Sequence, residues 1–441
     1  MASANFSFTL SRPAYDNLWP RWLAAEWIFW LVFATWTVLP STRTPWWTIG
    51  GLPVKSTDLL LLPLCVLSLL PRLVPRTCSL PARWHRLLPV AIGLLALWGS
   101  ASTIWSGSDG RNAFAMTYCM AATAASGLYA YLIISSVPDI RAFLRRLVVA
   151  LSAVSLLYTA QSFLGLGLRD AAAVTLNDFG IERVRGPLFE ASTGYFLLLP
   201  AMAFALEETL KRRLKPFLGA ACVFCLAVTL LGLGARAGYV LLAMFVLLCA
   251  IFAKGSQRYG AIAILVAISA LSATVIFSRA KTNRLEMKGA DGRTLMHQAV
   301  AGMVSDRSFA QLLTGSGLGS LWPWYLTEVE GGDLYSAGLY VRHTRYGILL
   351  YHPHSTVLDL CVELGLPGAL FVVALGTVLA GSLRRARALG EETIFAAGVV
   401  ISALSIGFDL FLVRRPTRDC VWWIFVFGLL ALLARRKEYS S

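Results

Sequence analysis

The residues best suited to chemistry cluster in YHPHSTVLDLCVELGLPGALF (351–371). His352 and His354 flank Pro353, which holds the chain extended just before an apolar stretch. A histidine with a pKa near 6.5 is a competent general base at neutral pH. An HxH pair can also hold a metal when further ligands converge. Here His343 or the acids Glu328, Glu330 and Asp333 would have to fold back, and no metal site is expected. Histidines at a membrane boundary can equally be structural. Asp359 and Glu363 follow at i and i+4, on one face of a helix, and buried acids of this kind usually pair with an arginine. Glu363 therefore joins the candidate substrate-binding residues. Gly365 and Gly368 allow close helix approach.

The second set is arginines. Arg236, in LLGLGARAGYVLLAM, sits in a short break between two apolar stretches. A guanidinium at the centre of a membrane helix costs about 2.5–3.5 kcal/mol on insertion scales, which makes it a functional candidate. The plainer alternative is a residue that ends a span and snorkels to water. Arg183 and Arg185 (IERVRGPLFE) have Glu182 as a local partner, and Arg293 (ADGRTLMHQAV) reads equally as a solvated loop charge. Arg414, Arg415 and Arg418 (VRRPTRDC) form a basic cluster that anionic lipid headgroups would also attract. Several arginines converging at one surface suit a diphosphate, because each offers a fixed, always-charged, bidentate fork.

These residues must be positioned by membrane helices. The chain has 441 residues, 57% apolar and 14% charged, whereas soluble domains carry about 25% charged residues. Apolar runs of roughly 18 or more residues recur along its length. A soluble enzyme, a disordered chain and a fibre are excluded, and the expected fold is an all-α polytopic membrane protein. Spans are predicted at 22–40, 57–75, 87–105, 113–136, 146–168, 187–208, 216–234, 237–253, 259–278, 355–381, 392–413 and 420–435. The organisation is an N-terminal bundle (1–278), a long exterior loop (279–354) and C-terminal transmembrane helices (355–441). No fixed-period repeat is visible, which argues against a repeated-half transporter.

The formal charge of +15 has a source other than nucleic acid. Lys and Arg concentrate in one set of alternating loops, among them Arg141, Arg145 and Arg146, Lys211 to Lys215, and Arg384 to Arg387. The inside-positive bias puts these loops and both termini in the cytoplasm. The first span, with no cleavable signal before it, is expected to be an uncleaved anchor. Cys222 and Cys225 form a CxxC within a span, with no second pair, and are expected to be packing residues. In the long loop, 294–313 has helix-like apolar spacing suited to the membrane interface, followed by the glycine-rich TGSGLGS (314–320) and WPWY (322–325).

His354-Ser355, nine residues, then Gly365-Leu-Pro-Gly368 resembles the H-[N/S/Q]-x9-GxxG signature of the O-antigen ligase superfamily. That superfamily includes Wzy-type polymerases and protein O-oligosaccharyltransferases. Arg236 in GARAG is similar to the family's arginine after a span, with Ala235 where a serine is usual. Arg293, followed by an amphipathic stretch and GSGLGS, is similar to its second arginine. The resemblance covers about 230–370; the N-terminal half is similar in topology alone. It implies a GT-C-like fold with about twelve spans and a long periplasmic loop, in the bacterial inner membrane. The implied reaction is metal-independent, inverting and cofactor-free. It transfers a glycan from undecaprenyl diphosphate to an acceptor hydroxyl at the periplasmic face, with His354 as base and Arg236 and Arg293 on the diphosphate. Arg183, Arg185, His352, Arg414, Arg415 and Glu363 are the further substrate-binding candidates. The expected acceptor is lipid A core. A second lipid-linked repeat (polymerase) or a protein hydroxyl are the alternatives, and a polysaccharide or lipid transporter is the reading from another class.

Overall fold

The structure, a computed structural model, describes residues 19–38, 47–49, 52–54, 84–107, 110–164, 184, 194–233, 236–255, 258–267, 270, 290–322, 341–350, 353, 355–407 and 416–438. It is built predominantly of helices. In chain order these are α1 (Trp19–Val38), α2 (Trp84–Ser102), α3 (Gly110–Ser136), α4 (Ile140–Leu164), α5 (Gly194–Leu210), α6 (Pro216–Gly232), α7 (Arg236–Phe252) and α8 (Arg258–Ala267). Then follow α9 (Ala290–Ser305), α10 (Phe309–Thr314), α11 (Thr356–Glu363), α12 (Leu366–Leu389), α13 (Thr393–Leu404) and α14 (Pro416–Glu438). Two short antiparallel hairpins, β1 (Trp47–Ile49) with β2 (Leu52–Val54) and β3 (Val341–Thr344) with β4 (Gly347–Leu350), accompany the helices of this otherwise all-α chain. Helix occurs in every predicted span except 57–75, which lies outside the described residues. Leu87–Trp105, Met116–Ser136 and Leu366–Leu389 are long and apolar enough to cross a membrane, and four described helices are shorter and apolar.

Helices α5, α13 and α14 form the centre. From Cys420 to Ala434, and from Tyr195 to Leu206, nearly every apolar side chain is buried. A helix apolar on all sides is stable only when surrounded by other helices or lipid. Phe196 stacks on Trp422 at 4.6 Å between ring centres, and Trp422 Nε1 donates to Ser402 Oγ at 2.9 Å. Helices α2, α3 and α12 pack outside this core, and their exposed leucines (Leu94, Leu97, Leu370) fit a lipid-facing surface.

The bundle has two chemically different ends. At the lower end α4 begins, α5 finishes and α13 begins. There the cations read as topological markers are tied into an ion-pair network. Arg141 bridges Glu208 and Glu392; Arg145 Nε reaches Glu208 at 2.6 Å. Lys211 binds Glu391 and also Glu207 at 2.7 Å, and Arg213 lies 2.9 Å from Glu391. Glu207 also accepts the Phe395 backbone N–H at 2.9 Å, in the first turn of α13. Glu208 is fully buried. Removing one partner of a buried pair leaves uncompensated charge and costs about 3–5 kcal/mol. Glu208→Ala is therefore expected to lower the thermal unfolding midpoint of the detergent-solubilised chain by several degrees. An unchanged midpoint contradicts this role.

Two predicted boundaries are corrected, and both bear on the site. The apolar run 355–381 is two helices, α11 and α12, separated at Leu364–Gly365. Gly365 has φ +64°, which favours glycine, and Pro367 stands in the first turn of α12. The helix expected at 294–313 is also two. It stops at Ser305 and restarts at Phe309, where Ser308 and Gln311 form a reciprocal capping box.

Candidate functional site

At the upper end of the bundle, where α2 finishes and α12 begins, lies the described part of the 351–371 segment. Ser355 is the N-cap of α11; its side chain accepts the Leu358 N–H at 3.1 Å. His354 thus directly precedes the N-cap. His354 itself and His352 lie outside the described residues, as do Arg183, Arg185, Arg414 and Arg415. The backbone of Arg236 opens α7, and that of Arg293 lies in the first turn of α9.

Val184, between Arg183 and Arg185, is buried, and its N–H donates to Gly232 O at 2.9 Å at the end of α6. This bond ties that segment to the α6–α7 connection, four residues before Arg236. Gly194, at the start of α5, packs there too: a Cβ on it would lie 2.3 Å from Leu233 Cδ1. Arg418 is 2% exposed, so it is part of the packed start of α14 and not open to lipid headgroups, as its cluster had suggested.

The acids of α11 have separate environments. Glu363 is fully buried, and its carboxylate accepts three backbone N–H groups: Gly319 at 2.6 Å, Leu321 at 2.8 Å and Trp322 at 3.0 Å. Asp359 is also fully buried, and neither carboxylate oxygen has a hydrogen-bond partner among the described residues.

The glycine-rich turn does not present a free set of amides to a phosphate. Besides the three N–H groups on Glu363, Ser316 N–H donates to Val362 O at 3.3 Å, Gly317 N–H to Glu363 O at 2.9 Å, and Leu318 N–H to Ser102 Oγ at 3.0 Å. Arg307, which sequence reasoning passed over, donates from Nη1 to Val362 O at 2.6 Å; burial lowers its pKa somewhat. Trp98 Nε1 on α2 donates to Leu364 O at 3.0 Å. The only sequence signal for Arg307 was its place in the short DRS break between two helical patterns.

Residues 221–373 match the family model of O-antigen ligase. This stretch of the chain is thus similar to the O-antigen ligase family. The likeness supports a membrane enzyme of the ligase or polymerase type, concerned with polysaccharide assembly. No curated protein matches the chain. The match takes in Arg236, Arg293 and the whole His354–Gly368 motif.

The structure gives the spacing of the His354–Gly368 segment a physical reason. Its second residue, Ser355, caps the helix. Its first glycine, Gly365, has no room for a side chain: a Cβ would lie 2.4 Å from Gly315 N and 2.7 Å from Leu313 O. On Gly368 it would lie 2.0 Å from Leu360 O. The nine intervening residues are the length of α11 and its C-terminal turn. Helix α9 reaches the same region through the β3–β4 hairpin, where Gly302 accommodates the Tyr346 ring (a Cβ would lie 2.9 Å from Cδ1). Cys222 and Cys225 on α6 are free thiols. Among the described residues, no three His, Cys, Asp or Glu side chains are placed to hold a metal.

Proposed function

We propose that this chain transfers a glycan from undecaprenyl diphosphate to an acceptor hydroxyl at the periplasmic face of the bacterial inner membrane. Lipid A core is the favoured acceptor. The carrying observation is that one ligase-family match spans Arg236, Arg293 and the His354–Gly368 motif. In support, the segments bearing Arg183, Arg185 and Arg236 meet where α6 passes to α7. The N-terminus of α7 adds the positive end of a helix dipole, which favours an anion there.

The acceptor oxygen attacks the anomeric carbon from the side opposite the diphosphate. A new glycosidic bond forms as the bond to the diphosphate oxygen breaks, so the configuration inverts. The lipid diphosphate departs as an anion and needs no proton from an acid. Arg236 and Arg293 hold it and stabilise the charge that grows as it leaves. His354 takes the acceptor's hydroxyl proton.

Asp359 is assigned to His354 as its carboxylate partner. In chain position they are N′ and N4 of α11, the pair whose side chains meet across many helix starts. A buried acid without a partner needs a cation beside it to ionise. A carboxylate beside an imidazole stabilises the imidazolium as it forms. Asp359→Asn is expected to lower kcat by at least about tenfold and to move the acid limb of the kcat/KM profile to lower pH. An unmoved limb would separate the two residues.

The reading is tested with the purified chain, lipid-linked glycan and two acceptors in parallel, rough lipopolysaccharide and additional lipid-linked repeat. Glycan on lipopolysaccharide supports the ligase. A ladder of lengthened lipid-linked chains makes the protein a polymerase instead. No covalent product with either, alongside substrate counterflow in proteoliposomes, overturns the enzyme reading in favour of transport.

A further inference from the structure

We infer that Glu363 is a positioning residue that clasps the exterior loop segment 315–322 onto the membrane helices, and so sets where Arg293 stands relative to the His354 helix. The inference rests on the glycosyltransferase reading above and gives Glu363 a task different from direct substrate contact.

An ionised carboxylate removed from water is stable only if its lone pairs are filled. Glu363 fills them with three amides of one turn, Gly319, Leu321 and Trp322. Hydrogen bonds to a charged acceptor are about twice as strong as neutral ones. The turn can bring three amides to one carboxylate because its glycines take left-handed backbone: Gly317 has φ +92° and Gly319 φ +76°.

The second half of the clasp runs the other way. The last carbonyls of α11, which a helix leaves unpaired, accept from the same loop. Val362 O takes Ser316 N–H and Arg307 Nη1, and Glu363 O takes Gly317 N–H. Leu364 O takes Trp98 Nε1 from α2. Gly315 packs against this turn so closely that a Cβ on it would lie 2.1 Å from Glu363 O. Leu318 N–H on Ser102 Oγ fixes the far side to α2.

Mechanical consequences follow from connectivity. Arg293 is on α9, which leads through α10 directly into this turn. His354 precedes α11, whose other end is Glu363. The two proposed ends of the reaction, donor diphosphate and acceptor base, are thus joined through this clasp, of which the Glu363 carboxylate makes three of the bonds. Reacting groups held a fraction of an ångström out of place lose much of the benefit of proximity.

The test compares wild type with Glu363→Gln and Glu363→Asp, by hydrogen exchange of the Gly319–Trp322 amides and by transfer kinetics against lipid-linked donor. Glutamine keeps the shape but removes the charge and turns one acceptor into a donor facing an N–H. Exchange of these amides is expected to speed up by about tenfold or more, the scale of losing one charge-assisted bond. The KM for donor is expected to rise by a similar factor with kcat changed much less, and Asp, which keeps the charge, is expected to recover part of both. Unchanged protection in the Gln variant overturns the clasp. A collapse of kcat with protection and KM intact overturns positioning and makes Glu363 a substrate contact. If Gln fails to fold, Arg307→Gln removes the neighbouring strut and is read by the same two measurements, with unchanged exchange at Ser316 and Gly317 counting against the clasp. The two arms fail separately: wild-type chain without transfer overturns the glycosyltransferase reading, while the exchange result decides the clasp.

Discussion

Replacing His354 by alanine is expected to abolish detectable glycan transfer while leaving the chain in the membrane at its normal level. General base catalysis by a placed side chain contributes about 10²–10⁴-fold, and without it the acceptor hydroxyl must lose its proton to water. The comparison uses fluorescently tagged lipid-linked glycan, with product resolved on a gel and the chain quantified by immunoblot. His352→Ala belongs beside it and is expected to be the milder change. His352 is three residues before Ser355, the cap of α11, whereas His354 adjoins it. The reverse order of severity would move the base to His352. Undiminished transfer by His354→Ala would remove the histidine from the chemistry.

Arg236→Lys is expected to cost about ten- to a hundredfold in kcat/KM although the positive charge remains. Arginine grips a phosphate through two parallel N–H bonds in a rigid plane, and lysine supplies a flexible point charge. Arg236 opens α7, where the helix N-terminus already favours an anion. The loss should therefore come from geometry as well as charge, and Arg236→Ala should be worse than Arg236→Lys. Donor-saturation kinetics measure it. Full activity with lysine would make Arg236 a topological marker at a span end, the alternative its sequence position also allowed.

Much of the fold was legible because membrane helices are written in long apolar runs. The runs at 87–105 and 113–136 coincide with α2 and α3 to within a few residues. What hydropathy hid was a break inside an apolar run. LCVELGLPGALF stays apolar across Gly365, so a window average carries one span through the position where the chain turns. Gly followed by Leu-Pro is a helix-boundary signal that outweighs the average here. Likewise Ser308 with Gln311 three residues on is a capping box, and it divides a stretch whose apolar spacing read as one helix.

The motif was legible as a pattern but not as a device. Nothing local says that Gly365 must meet Gly315, fifty residues earlier in the chain, because that contact exists only once the loop folds back. Glu363 was recognisable as an acid in an apolar setting, yet its partners are backbone amides, which leave no trace in residue type. The lower-end ion pairs were hidden for the same reason. Arg141, Glu208 and Glu392 come from α4, α5 and the turn before α13, and only packing makes their pairing visible.

The central claim is that a bond is broken at the lipid diphosphate and remade on an acceptor. The most direct measurement reconstitutes the chain with radiolabelled lipid-linked glycan and rough lipopolysaccharide, and quantifies free undecaprenyl diphosphate and glycosylated acceptor together. Wild type should release the lipid diphosphate and form glycosylated acceptor in equal amounts, and His354→Ala should form neither. Glycan that crosses the membrane still attached to its lipid, with no acceptor product, would contradict the account.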